Sequence, residues 1–193
     1  WTKDCGEAAA AYPEISFAII DDVIDQPNAA SLLFSEEQGS YLVGYAAALK
    51  STSGKLGFIG GVRTDGIGKF EAGFKQGALA ANPSATIEVK YATEPPDFSG
   101  FNDPAKGKTI ANAMFKSGID VIYHAAGGTG AGLFAAAMES GKAPGEIWAI
   151  GVDSDQYNSV AAENGQEYIL TSMLKRVDVA TYEAMKAYIN GAP

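Results

Sequence analysis

Cysteine and histidine are nearly missing from this chain: Cys5 and His124 are the sole representatives of their types among 193 residues. A single thiol excludes an internal disulfide. One thiol with one imidazole cannot assemble a zinc site of the usual nitrogen and sulfur ligands. Basic residues are also scarce, 14 against 23 acidic ones, and the net charge of −9 argues against nucleic acid as a partner. Duplex binding draws its affinity from Lys and Arg neutralising phosphates, and a hold on anionic lipid needs the same cations. No apolar run approaches the roughly 20 residues of a membrane helix. The opening Trp1-Thr2-Lys3-Asp4-Cys5 shows neither a basic n-region nor an apolar h-region, so no targeting signal is visible there. Cys5 then reads as a plain thiol rather than a lipid-modified one.

Catalytic patterns are lacking as well. There is no G-x-S-x-G elbow and no Walker loop, and His124 has no triad partner nearby in the chain. It reads as a structural residue at a strand end. Asp21 and Asp22 are adjacent on an extended segment, so their side chains point to opposite faces and do not form an acid–base pair.

What the chain does have is apolar content, 47%, with 19% charged residues. That is enough for a sizeable core in one α/β domain or two small lobes. Short β-branched runs at 16–20, 30–34, 55–59, 86–91, 119–124, 147–152 and 168–173 alternate with helical patterns, which predicts parallel sheet covered by helices. Several of these runs are apolar throughout, as strands buried on both faces should be. Ser35-Glu36-Glu37-Gln38 reads as a capping box, after which Tyr41, Leu42, Tyr45 and Leu49 are expected to line the buried face of a helix. Ile67, Phe70, Phe74, Ala78 and Ala81 form a second stripe, ended by Asn82-Pro83. Asp103-Pro104 reads as N-cap and first residue of another helix, with Ile110, Met114 and Phe115 facing inward. Helical stretches at 128–140 and 177–190 are followed by Gly141 and Gly191. Residues 7–12 look like a helix that should follow a strand, which points to a larger whole.

Three stretches have the makings of a ligand site. The turn AAGGTG (125–130) follows a strand and opens a helix, where glycines let backbone approach a ligand and helix N–H groups face it. A tight βα turn explains the same glycines equally well. Asp153, after the next strand, suits a vicinal diol, because an ionised carboxylate accepts two hydrogen bonds; turn and cap chemistry also favours Asp, Ser and Asp at 153–155. Lys175 closes the last strand, where a lysine facing a crevice donates to a ligand hydroxyl or is merely solvated. The loop 95–103 carries Phe98 and Phe101, available for stacking or as apolar anchors.

Taken in order, FAIIDD (17–22), EQGSYLVGYAAA (37–48), GKLGFIGG (54–61), FEAGF (70–74), FNDPAKGK (101–108), AAGGTG (125–130), GVDSDQ (151–156) and TSMLKR (171–176) resemble the basic membrane lipoprotein (BMP) family of purine-nucleoside-binding proteins that serve ABC-type importers. The resemblance runs along the whole chain. It implies the type I periplasmic-binding-protein fold: two doubly wound α/β lobes with parallel sheets, joined by crossover strands, with ligand held between them. Residues 1–52 are expected in the first lobe, 53–172 in the second, and 173–193 as the crossover and return helix to the first. Family members begin with a further βαβα segment that supplies an Asp-Asn pair and an aromatic, so the N-terminal part of the first lobe is expected to be missing here.

Carried onto this sequence, the resemblance implies Asp4 as the acid on the purine edge and Phe101 as the ring stacked on the base, with Phe98 as its rival in the loop. It implies Gly127, Asp153 and Lys175 as contacts to the ribose hydroxyls. It further implies an extracytoplasmic protein, lipid-anchored or periplasmic, acting as a monomer without cofactor or metal and handing adenosine, guanosine or inosine to a membrane permease by clamshell closure. No chemistry on the ligand is expected. The competing readings are the sensing domain of a receptor or regulator and an NAD-dependent oxidoreductase, the latter resting on the glycine turn with Asp153.

Overall fold

The computed structural model of the chain describes residues 2–191, apart from the side chain of Ala162; Trp1, Ala192 and Pro193 lie outside the described residues. Five of the strands assemble into one sheet. β3 (Lys55–Val62), β4 (Thr86–Thr93), β5 (Val121–Ala125), β6 (Trp148–Asp153) and β7 (Ile169–Leu174) lie in the order β4-β3-β5-β6-β7, parallel throughout. All five coincide with the runs expected as strands. β3, β5 and β6 lack apolar–polar alternation because both their faces are covered, whereas the edge strand β4 alternates Ile87, Val89 and Tyr91 with Glu88 and Lys90. Phe58 and Tyr123, paired across β3 and β5, turn to one face and meet Phe74 there, with ring centroids 5.2 to 6.3 Å apart. Ile59 and Ile122 turn to the other face, against Ala111, Met114, Leu133 and Phe134.

The first face is covered by α2 (Glu36–Lys50) and α3 (Asp65–Ala81), the second by α4 (Pro104–Lys116) and α5 (Ala131–Met138). Two of the expected boundaries are present. Asn82 caps the end of α3, and the Asp103 carboxylate accepts from the Lys106 N–H at 2.9 Å.

The buried face of α2 is not the expected one. Tyr41, Leu42, Tyr45 and Leu49 are exposed, whereas Ser40, Val43, Gly44, Ala47 and Ala48 are buried. The cause is how closely α2 and α3 approach each other. A Cβ on Gly44 would stand 2.2 Å from the Phe74 carbonyl oxygen, one on Gly73 2.1 Å from that of Glu37, and one on Gly77 1.9 Å from that of Tyr41. Backbone meets backbone along this seam, which only small residues permit, so the large side chains of α2 turn outward. At the foot of the same unit the Asp120 carboxylate gathers Ser51, Thr52 and Ser53, clamping the α2–β3 loop to the start of β5.

The chain divides into two compact units, Glu36–Lys175 and Trp1–Ser35 with Arg176–Pro193. The first break falls before α2, not near residue 52 as the sequence suggests, because α2 packs on α3. The remaining unit holds α1 (Thr2–Ala11), β1 (Phe17–Ile20), β2 (Ala29–Leu32) and α7 (Val177–Ile189). β1 and β2 are parallel, with Phe17 opposite Ala29. The Asn28 amide reaches the carbonyls of Ala9, Tyr12 and Ile15 at 2.9 to 3.1 Å, tying the end of α1 and the following loop to the start of β2. Among the described residues no helix is long and apolar enough to cross a membrane.

Candidate functional site

In an open α/β sheet, ligands bind beyond the carboxyl ends of the strands where the strand order reverses. In the five-stranded sheet that point lies between β3 and β5, since β4 continues to one side of β3 and β5, β6 and β7 to the other. Two of the expected residues meet there. The half-buried Phe101 lies against the end of β3, so close that a Cβ on Gly61 would stand 2.4 Å from its Cδ1. Gly127, beyond the end of β5, adopts φ +54, and a Cβ on it would come within 2.9 Å of the Phe101 carbonyl oxygen.

Thr129 fastens the two turns together. Its buried hydroxyl donates to the Gly100 carbonyl at 2.7 Å and accepts from the Asp103 N–H at 2.8 Å. Phe98, the rival ring, is 58% exposed. Phe101 is therefore the aromatic fixed at the switch point.

Asp153 and Lys175 also come together, one strand further along. Asp153 ends β6 opposite Leu174 of β7, and the Lys175 N–H donates to the Asp153 carbonyl at 2.8 Å. Asp153 has φ +67, a left-handed conformation uncommon outside glycine, though Asp tolerates it better than most residues. Such backbone clusters at functional sites because the surrounding structure must hold it. The Asp153 side chain is exposed, while that of Lys175 is only 6% exposed. The Lys175 ammonium lies 3.3 Å from Glu36 Oε1 and 5.8 Å from the Phe70 ring centroid. Lys69 Nζ stands 3.6 Å from the other Glu36 oxygen. Behind them, burial pushes the Tyr123 hydroxyl well above its ordinary pKa. Its bond with Ser40 opposes this, and the charges of Asp153 and Glu36 add to it.

His124 supports the two turns from beneath. It is wholly buried, and its Nε2 lies 2.8 Å from Gln156 Oε1. The same oxygen accepts the Val152 N–H at 2.8 Å, so the imidazole Nε2 must be the donor. Nδ1 is buried with no hydrogen-bond partner. Burial pulls the ring's pKa down to about 4, against a smaller opposite pull from the Gln156 bond. The ring lies under Gly130, where a Cβ would stand 2.0 Å from its Cε1, and the Gln156 N–H donates to Ser172 at 3.1 Å. A neutral imidazole committed to Gln156 packs between the glycine turn and the Asp153 turn. It fits the structural reading of His124 better than a catalytic one.

Asp4 is exposed in the first turn of α1, in the other unit. Thr2 of that turn hydrogen-bonds Asp22, just past β1, so Asp4 stands near the carboxyl end of its own two-stranded sheet. Among the described residues no group of His, Cys, Asp and Glu is placed to hold a metal ion. Glu36 is the member of this cluster that the sequence reading missed, because an acidic residue after Ser35 is already accounted for as part of a capping box.

Residues 5–193 match the family described as ABC transporter substrate-binding protein PnrA-like (Bmp). The chain is 46% identical over 181 residues to the CD4+ T-cell-stimulating antigen of Listeria monocytogenes, covering 90% of this chain and 49% of that protein. It is 40% identical over 184 residues to the ABC transporter nucleoside-binding protein BmpA of Lactococcus lactis, covering 91% and 51%. A solved ABC transporter solute-binding protein of Aeropyrum pernix K1 superposes with a TM-score of 0.82 at 31% identity, over 100% of this chain and 53% of that one. The chain thus spans about half the length of the relatives it matches. By sequence and fold alike, it belongs to the PnrA-like (Bmp) family of ABC transporter substrate-binding proteins, which have the type I periplasmic-binding-protein fold.

Proposed function

We propose that the full-length protein captures a purine nucleoside for an ABC-type importer and performs no chemistry on it. The observation that carries this reading is one sheet edge bearing both kinds of contact a nucleoside needs. At the switch point Phe101 offers a ring face for the base, and Gly127 beside it offers a backbone contact for the ribose. Asp153 and Lys175 at the ends of β6 and β7 offer a carboxylate acceptor and an ammonium donor for a vicinal diol. A relative named as nucleoside-binding, at 40% identity, supports the same ligand class. Asp4 is assigned to the purine edge.

Capture proceeds by closure around the bound nucleoside, with a membrane permease as the receiving partner. The protein acts outside the cytoplasm as a monomer, lipid-anchored or periplasmic.

The test is isothermal titration of the full-length protein, stripped of ligand by unfolding and refolding, against purine nucleosides, free bases, ribose and NAD. Nucleosides should bind, with ribose and NAD inert. Asp153→Ala should weaken binding by about 2 kcal/mol or more, the scale of a charged hydrogen bond whose partner is left unsatisfied. Unchanged affinity removes Asp153 from the site, and a folded protein that binds no nucleoside overturns the reading.

A further inference from the structure

A lysine at a strand end is ordinarily a poor fixed donor, because its four-carbon stem is flexible and its ammonium strongly hydrated. Lys175 is different. Its side chain is 6% exposed, and so is that of Glu36, 3.3 Å away. A buried carboxylate is retained only where cations and donors compensate it. Glu36 has two cations, Lys175 at Oε1 and Lys69 at 3.6 Å from Oε2, yet Oε2 accepts no hydrogen bond. Lys69 is half-exposed, at 48%, so the buried half of the pairing is with Lys175. The Phe70 ring below the ammonium and the backbone bond from Lys175 to Asp153 add to the restraint. Charges held this way have a fixed geometry, which is what a site that discriminates hydroxyl positions requires.

We infer that Glu36 is a positioning residue for sugar recognition: its carboxylate holds the Lys175 ammonium at the end of β7, beside Asp153, aimed at a ribose hydroxyl. An ammonium carries three donors, so the pair with Glu36 and a bond to a hydroxyl are compatible. Glu36 itself does not touch ligand. The inference rests on the nucleoside reading above and adds a specific requirement to it: removing Glu36 should affect the ribose contacts and not the base contacts.

The experiment is calorimetric titration of the full-length protein with guanosine, inosine and adenosine and with their 2′,3′-dideoxy counterparts. It compares wild type, Lys175→Met, Glu36→Gln and Glu36→Asp, each first shown to be folded by its melting curve. Glu36→Gln keeps the shape and removes the charge; Glu36→Asp keeps the charge and withdraws it by one methylene, and serves if the first variant does not fold. Both should weaken ribonucleoside binding about tenfold, as expected for loss of a charge-assisted contact. Dideoxynucleoside binding should stay within about twofold, the same selective profile as Lys175→Met.

Equal loss for both ligand sets would mean a general structural role and overturn the inference. A selective loss in Lys175→Met with no change in either Glu36 variant would overturn it while leaving the nucleoside reading intact. No nucleoside binding by wild type would remove both.

Discussion

The two sheets of this molecule are built from similar sequence but reach opposite degrees of burial. In the Glu36–Lys175 unit, β5 is buried along its whole length and β3 at every position but its first. In the other unit, no residue of β1 or β2 is fully buried, although Phe-Ala-Ile-Ile is as apolar as any run in the large sheet. The helices differ in the same way. α3 buries Phe70, Phe74 and Ala78, whereas α7 buries nothing and leaves Tyr182, Met185, Tyr188 and Ile189 exposed. Apolar composition therefore marks where a strand or helix forms, and the layers packed around it within these 193 residues, about half the length of the relatives, set how much of it is buried here. Five strands between two helix layers make a core; a two-stranded sheet is marginal by itself.

That contrast can be broken most severely from inside the large unit, by acid. His124 is neutral in its buried site, with a pKa of about 4 against an ordinary 6.5. As pH falls below 6.5 the unfolded chain takes up this proton and the folded chain does not. The contribution is intact above pH 6.5 and is lost progressively down to pH 4, by about 3 kcal/mol in all. Denaturant titrations from pH 7 to pH 4 should show this slope, and His124→Asn should flatten it. An unchanged slope in a folded variant would assign the acid sensitivity to other groups.

A smaller break comes at the helix seam. Gly77→Ala, ordinarily a helix-stabilising change, places a methyl 1.9 Å from the Tyr41 carbonyl oxygen. It should cost about 2 kcal/mol, within the usual range for overpacking, as a lowered denaturation midpoint. The smallest effect sharpens the other side of the comparison. Tyr182→Ala on α7, 59% exposed in this chain, should shift stability by no more than about 0.5 kcal/mol. A loss several times larger in the 193-residue chain would show that α7 carries packing its exposure does not reveal.

Much of the fold was legible before any coordinates. The seven strands among the described residues overlap the seven runs expected, and α3 ends and α4 begins at the expected caps. Two readings failed, and for one reason. Tyr41, Leu42, Tyr45 and Leu49 are spaced as a buried stripe should be, but Gly44 faces α3, with Gly73 and Gly77 answering from the opposite helix. Hydrophobic periodicity weights side-chain bulk and gives no weight to a contact made by its absence. The misplaced face hid the attachment of α2 to α3, and with it the true unit boundary before Glu36.

At the candidate site, Gly127, Asp153 and Lys175 stood out because turn glycines and strand-end charges leave local marks. Phe101 stands ahead of Phe98 in the sequence only through the family resemblance, since either ring of the loop could stack or anchor. Glu36 left no such mark. Its partner lies at the far end of the unit in sequence, and a pairing of that range has no local signature.

The Glu36–Lys175 pair has one further consequence. These are the first and last residues of their unit, and their side chains lie 3.3 Å apart. The unit therefore starts and stops at one point in space, like a bead threaded through neighbouring holes. A segment so arranged can be inserted into a host loop with little disturbance to the host, the geometry that makes domain insertion tolerable.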